Sequence, residues 1–207
     1  MNFSPRVEYS EGALLFDSSL PVDDGHAQVN MGLLAYVRTL GIAGRSAKAG
    51  MLLANAELSA NDYVIGQYRT RNTAGIADPA ILFTVKLLGA PALSLREFKD
   101  YRQSTIVGFT FKLTAPWGVY EDDKLLNIGP NRWSLEPEFR ILQAIRRWRL
   151  EAAAAVTFYT DNHDFDNGKT RRQEPIYSLQ GYAVYSFRNT IWAAISTTYY
   201  IGGQTTI

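Results

Sequence analysis

The chain has 207 residues and a formal net charge of +1, with 21 Lys and Arg against 20 Asp and Glu. That balance excludes a strong field for nucleic acid or for an acidic surface. Cysteine is absent, which excludes disulfides, a thiol nucleophile and cysteine-held zinc, and two histidines, His26 and His163, are too few for a multi-histidine metal centre.

The opening "MNFSPRVEYSEG" lacks the basic start and apolar core of an export signal. No apolar run reaches the roughly 18 to 20 residues of a membrane helix. Period-two alternation instead predicts strands. It is weak near 7–16, 28–40, 45–58 and 79–88, where small residues blur the faces. A capping-box spacing, Ser94 with Glu97 in "SLREFKDY", predicts a short helix near 94–102, at the rim or inside the lumen.

Three later segments alternate cleanly. In "STIVGFTFKL", Thr105, Val107, Phe109, Phe111 and Leu113 oppose a face ending in Lys112. In "RWSLEPEFRI", Trp133, Leu135, Pro137, Phe139 and Ile141 oppose Arg132, Ser134, Glu136, Glu138 and Arg140. In "WRLEAAAAVTFY", Trp148, Leu150, Val156 and Phe158 share one face, and Arg149 and Glu151 lie on the other. Further strands are expected near 177–187 and 190–201.

Strands of about ten residues suit a bilayer, whose crossing strands need about 9–11, better than a soluble sheet, whose mode is about 5–6. Links alternate between short (41–44, 143–147, 188–189) and long (17–27, 59–78, 114–131, 161–176), the rhythm of tight periplasmic turns and longer external loops. The link 89–103 breaks that rhythm. Aromatics gather near both strand ends. Trp148, Phe187 and Trp192 lie by short turns. Trp117, Trp133, Phe158, Tyr159, Tyr177, Tyr199 and Tyr200 lie by long loops. Two interfacial girdles would produce this arrangement. The fold class expected is therefore all-β: an antiparallel transmembrane β-barrel, a single domain over 1–207, with about nine strands present.

The polar faces would then turn inward. Lys112, Arg132, Glu136, Glu138, Arg140, Arg149 and Glu151 are the candidate lumen-facing residues. Mixed charges at close quarters should pair into a lattice that mainly stiffens the lumen, with direct choice of solute as the lesser role.

The long link "DNHDFDNGKTRRQEP" (161–175) looks at first like a calcium loop. Placing Gly168 sixth puts Glu174 twelfth, but His163 and Phe165 then stand where oxygen ligands belong. A solvated external loop with an Asn-Gly turn is the better reading. No G-x-S-x-G occurs, and "GIAGRSAKAG" fails the phosphate-loop pattern, so no catalytic, metal or cofactor residues are assigned.

Taken as a set and in this order, "ADPAILFTVKLLGAPAL", "LLNIGPNRWSLEPEF", "FYTDNHDF", "GKTRRQEPIYSLQ" and "WAAISTTYYIGG" resemble the outer-membrane transporter family linked to the meta-pathway of phenol degradation. The resemblance covers most of the chain, most strongly from Asp78 to Gly203. It implies a bacterial outer-membrane barrel passing small apolar or aromatic compounds by passive diffusion, with lipid and such solutes as its partners, and no enzyme activity. It brings no catalytic or ligand residues to transfer. Trp117, Val119 and Arg140 depart from the family pattern. The alternative from a different class is a soluble β-barrel or sandwich that binds a small ligand.

Nine strands would leave the two termini on opposite sides, whereas single-chain bacterial barrels have even strand numbers. The sequence is therefore expected to be a segment that lacks an export signal and one to three C-terminal strands. The family suggests about twelve strands in the parent. Alternatively 7–16 is no strand, and eight strands close.

Overall fold

The structure, a computed structural model, describes residues 2–13, 22–64, 67–188 and 190–207. The end of the expected strand 7–16, the start of the link 17–27 and position 189 of a short link lie outside them. In chain order the elements are β1 (Asn2–Ala13), β2 (Val22–Ile42), β3 (Arg45–Val64), β4 (Gln67–Ile76), β5 (Ala80–Leu88), α1 (Leu95–Phe98), β6 (Thr105–Thr114) and β7 (Ser134–Ile145). Then follow β8 (Trp148–Tyr159), β9 (Asn162–Phe165), β10 (Lys169–Gln173), β11 (Ile176–Arg188), β12 (Ile191–Gly202) and β13 (Thr205–Thr206).

Nine strands run in the order β1-β2-β3-β5-β6-β7-β8-β11-β12 in one antiparallel sheet curled into a half-barrel, and β4 adds a tenth strand beside β3. The all-β expectation with one short helix is met. β1 and β12 are its two edges and do not pair with each other among the described residues.

Register shows how the alternation is used. Directly opposed residues share a face. One such row crosses seven strands: Phe3, Tyr36, Met51, Ile81, Leu113, Leu135 and Phe158. Another runs Val85, Phe109, Phe139, Ala154, Leu179 and Tyr199. Between them on the opposite face runs Thr39, Lys48, Thr84, Thr110, Glu138, Ala155, Ser178 and Tyr200. Large apolar side chains therefore cover one face, and polar or small ones the other.

Two long links hold more structure than expected. Within 59–78, β3 runs on to Val64 and β4 returns beside it, from Asn55 opposite Ile76 to Val64 opposite Gln67. Small and polar residues such as Ala56, Ser59, Ala60, Asn72 and Thr73 carry this pairing, so no apolar period marks it. Link 161–176 is the hairpin β9–β10, turned through Asp166, Asn167 and Gly168, all at positive φ. Asn162 and Phe165 are buried in it, so only part of the link is solvated. Its charges pair locally, Lys169 with Asp166 at 2.5 Å and Arg172 with Asp161 at 3.0 Å.

The short side is built as turns require. Ala43 and Gly44, at φ 49° and 74°, form the tight connection between β2 and β3, matching the right-handed twist of long strands. The segment after β5 folds back onto it, with Ser46 N–H donating to the Ala90 carbonyl and Ala92 N–H to that of Gly44. α1 follows with its capping box complete: Ser94 N–H donates to Glu97 at 2.8 Å, and Glu97 N–H to the Ser94 hydroxyl at 3.4 Å. The helix is one turn long and lies at the short-turn rim.

Candidate functional site

Five of the seven candidates come together on the polar face of β6, β7 and β8. Lys112 and Glu136, directly opposed, make a 2.6 Å ion pair, and Glu136 also accepts from the Thr157 hydroxyl at 3.3 Å. Glu138 and Arg140, two apart on β7, point the same way, and the carboxylate takes both Nε and Nη2 of the guanidinium at 2.9 and 3.0 Å. Arg140 Nη1 donates to Glu151 on β8. The result is a paired lattice, with charge-assisted bonds stronger than neutral ones.

Lys86, which the sequence pattern does not single out, borders this lattice. Its partner across the strand pair is Gly108, where a Cβ would stand 3.2 Å from Lys86 Nζ. The glycine lets the lysine lie across β6 towards Arg140 on β7, in the same polar row. Thr84 and Thr110, 3.1 Å apart, continue the polar surface. Beside the lattice a groove of about 270 Å³ is lined by Arg140, Glu151, Gln180, Tyr182 and Ser196. The lining offers polar side chains, a guanidinium and a carboxylate, to the groove.

The other two candidates stand apart. Arg149 is exposed near the short-turn end of β8 and makes no ion pair among the described residues. Arg132 precedes β7 instead of lying on it. Asn131, at φ 52°, breaks the chain direction just before it. Arg132 is 6% exposed, donates through Nη2 to Gln173 of β10, and stacks over the Tyr159 ring at 4.5 Å. Burial, and then the like charge of Arg171, hold its pKa below the usual guanidinium value.

The long link 114–131 crosses the long-loop end of the polar face. Arg71 of β4 holds it through Glu121 at 2.6 Å and the Leu126 carbonyl at 3.3 Å. From the other side Asn162 donates to the Tyr120 hydroxyl at 2.9 Å, and Tyr120 donates to the Asp164 carbonyl at 3.1 Å. Asp78 clamps its start: Gly118 N–H donates to Oδ1 at 2.7 Å, and only glycine fits at 118 and 129, where a Cβ would meet the carboxylate at 2.7 and 2.6 Å. Burial pushes the Asp78 carboxyl above its ordinary range, against the bonds from Gly118 and Trp117. Arg71 pulls the Glu121 carboxyl below its range.

The aromatic residues only partly follow the two-girdle expectation. Trp148, Tyr185 and Phe187 cluster at the short-turn end with centroids 4.8 and 4.9 Å apart, and Trp117 meets Trp133 at 6.0 Å at the other. Tyr159, Trp192 and Tyr200 fall on the polar face by strand parity, so they do not join the apolar one.

Comparison with known proteins gives two findings. The sequence model of a family described as "Putative MetA-pathway of phenol degradation" matches residues 10–206. The crystal structure of an outer membrane channel from Pseudomonas putida F1 superposes with a TM-score of 0.73 at 22% identity, covering 97% of this chain and 72% of that one. No curated protein matches.

Proposed function

The chain belongs to the phenol-degradation family whose model spans it, and from that premise we propose that it is an outer-membrane channel passing small apolar or aromatic compounds by passive diffusion. One observation carries this reading. Among the described residues the buried apolar side chains are all alanines except Phe165, while Ile81, Phe139, Leu179 and Ile195 are 55, 58, 61 and 73% exposed on one continuous face. A soluble fold buries such residues. A sheet bathed in lipid displays them, and keeps polar groups for its inner side.

On this reading the lattice of Lys112, Glu136, Glu138, Arg140 and Glu151, bordered by Lys86, lines the lumen, and Arg149 marks its short-turn mouth. Strands β2 and β3, of 21 and 20 residues, are longer than any bilayer crossing needs. Their lipid-side face is apolar at Leu34, Tyr36, Met51 and Leu53, then turns polar at Gln28, Asn30, Glu57 and Ser59. The switch marks where the hairpin leaves the bilayer. Inside the hydrocarbon every strand edge has to be paired, so the edges of β1 and β12 are covered in the working channel.

A soluble ligand-binding sheet predicts the opposite exposure. Lipids brominated along the acyl chain separate the two. Quenching of Trp148 fluorescence in reconstituted vesicles supports the channel. A protein that stays monodisperse without detergent and is unquenched supports the soluble binder.

A further inference from the structure

We propose that Arg132 anchors a binding site for a small oxyanion, either the carboxylate of an organic acid or inorganic phosphate, on the polar face at the long-loop rim.

A guanidinium has five N–H donors and no acceptor. Nη2 of Arg132 donates to the neutral Gln173 amide oxygen, while Nε and Nη1, both buried, meet no acceptor among the described residues. Arg132 is only 6% exposed, and its stack on Tyr159 supplies attraction without a counter-charge. The carboxylates that follow it on β7 are engaged elsewhere: Glu136 pairs with Lys112 at 2.6 Å, and Glu138 with Arg140 at 2.9 Å. The charge that acts on Arg132 most among its neighbours is another cation, Arg171. Residues 171 and 173 are two apart on β10, so both turn to one side of that strand.

A buried guanidinium with two unmet donors is a costly arrangement in a folded protein. It becomes favourable when an anion enters, because charge-assisted bonds at Nε and Nη1 then replace lost hydration. The Tyr159 ring lies under Arg132 at 4.5 Å, and the buried Phe165 ring lies 5.2 Å from the Arg171 guanidinium. The site sits at the mouth of the channel proposed above but does not depend on transport. Its test therefore reads binding in detergent, where a failure leaves the flux reading untouched.

The probe is 4-fluorobenzoate followed by fluorine NMR on the full chain in detergent, with neutral 4-fluorobenzamide as control and phosphate titrated separately by calorimetry. Binding of at least one anion is expected, with the amide at least tenfold weaker. If benzoate binds and phosphate does not, the ligand is an organic acid. If only phosphate binds, it is phosphate. Arg132→Gln should weaken anion binding at least tenfold. Gln173→Glu keeps the arginine and gives it an internal counter-charge, so it should weaken binding similarly while the fold is retained. No binding of either anion at millimolar concentration, or unchanged binding in Gln173→Glu, would overturn the proposal.

Discussion

Glu138 and Phe139 are consecutive on β7 and point to opposite faces, the first 8% exposed and held by Arg140, the second 58% exposed. Substitutions at the two should therefore diverge. Phe139→Arg places a cation against lipid near mid-strand and should cost about 2–4 kcal/mol. Glu138→Gln leaves Arg140 its bond to Glu151 and should fold, with a shift in ion preference. Folding yields in detergent compare them. A silent Phe139→Arg beside a Glu138→Gln that cannot fold would reverse the face assignment.

Lys86 and Gly108 should behave as one unit. Gly108→Val brings a branched side chain against Lys86, whose Nζ and Cδ lie 3.2 and 3.3 Å from the new Cβ, and should lower stability by displacing the lysine. Most of that loss should vanish in a Lys86→Ala background, because the obstructed chain is gone. A double-mutant cycle by urea unfolding measures the coupling. Strictly additive effects would show that the glycine is there for another reason.

Two carboxyls that fix the link 114–131 should respond to acid with opposite signs. Asp78 has a raised pKa in the fold, so its stabilising contribution is complete below the unfolded carboxyl value and is lost as pH rises through the folded one. Glu121 has a lowered pKa, so its contribution is present above the unfolded value and is lost as pH falls through the folded one. Unfolding midpoints across the acidic range should then rise at neutral pH for Asp78→Asn and lose their acid-side fall for Glu121→Gln. Parallel profiles for wild type and both variants would contradict these assignments.

Legibility in the sequence followed side-chain size. β6, β7 and β8 stood out because bulky apolar residues alternate with charges. β4 and the far half of β3 did not, since alanine, serine and asparagine leave no amphipathic period. Arg140 and Glu151 lie on strands joined by a short turn, which brings them together by alternation alone, whereas the pair Lys112–Glu136 depends on a register set across the long link 114–131. Lys86 could not be joined to them, because it sits in the apolar run "ILFTVKLL" and reaches the lattice only across Gly108. Unbroken alternation through 132–141 implies that Arg132 lies on β7, which starts only at Ser134. The backbone turn at Asn131 is invisible to that pattern, and so is the hairpin that brings Gln173 to the arginine.

Passage of solute is the property that defines a channel. Purified protein in liposomes, loaded with a small aromatic compound, should release it down its gradient at a rate proportional to concentration and without saturation. Empty liposomes should release it more slowly, and no energy source should be needed. Release no faster than from protein-free liposomes, by protein shown to be inserted, would contradict the channel.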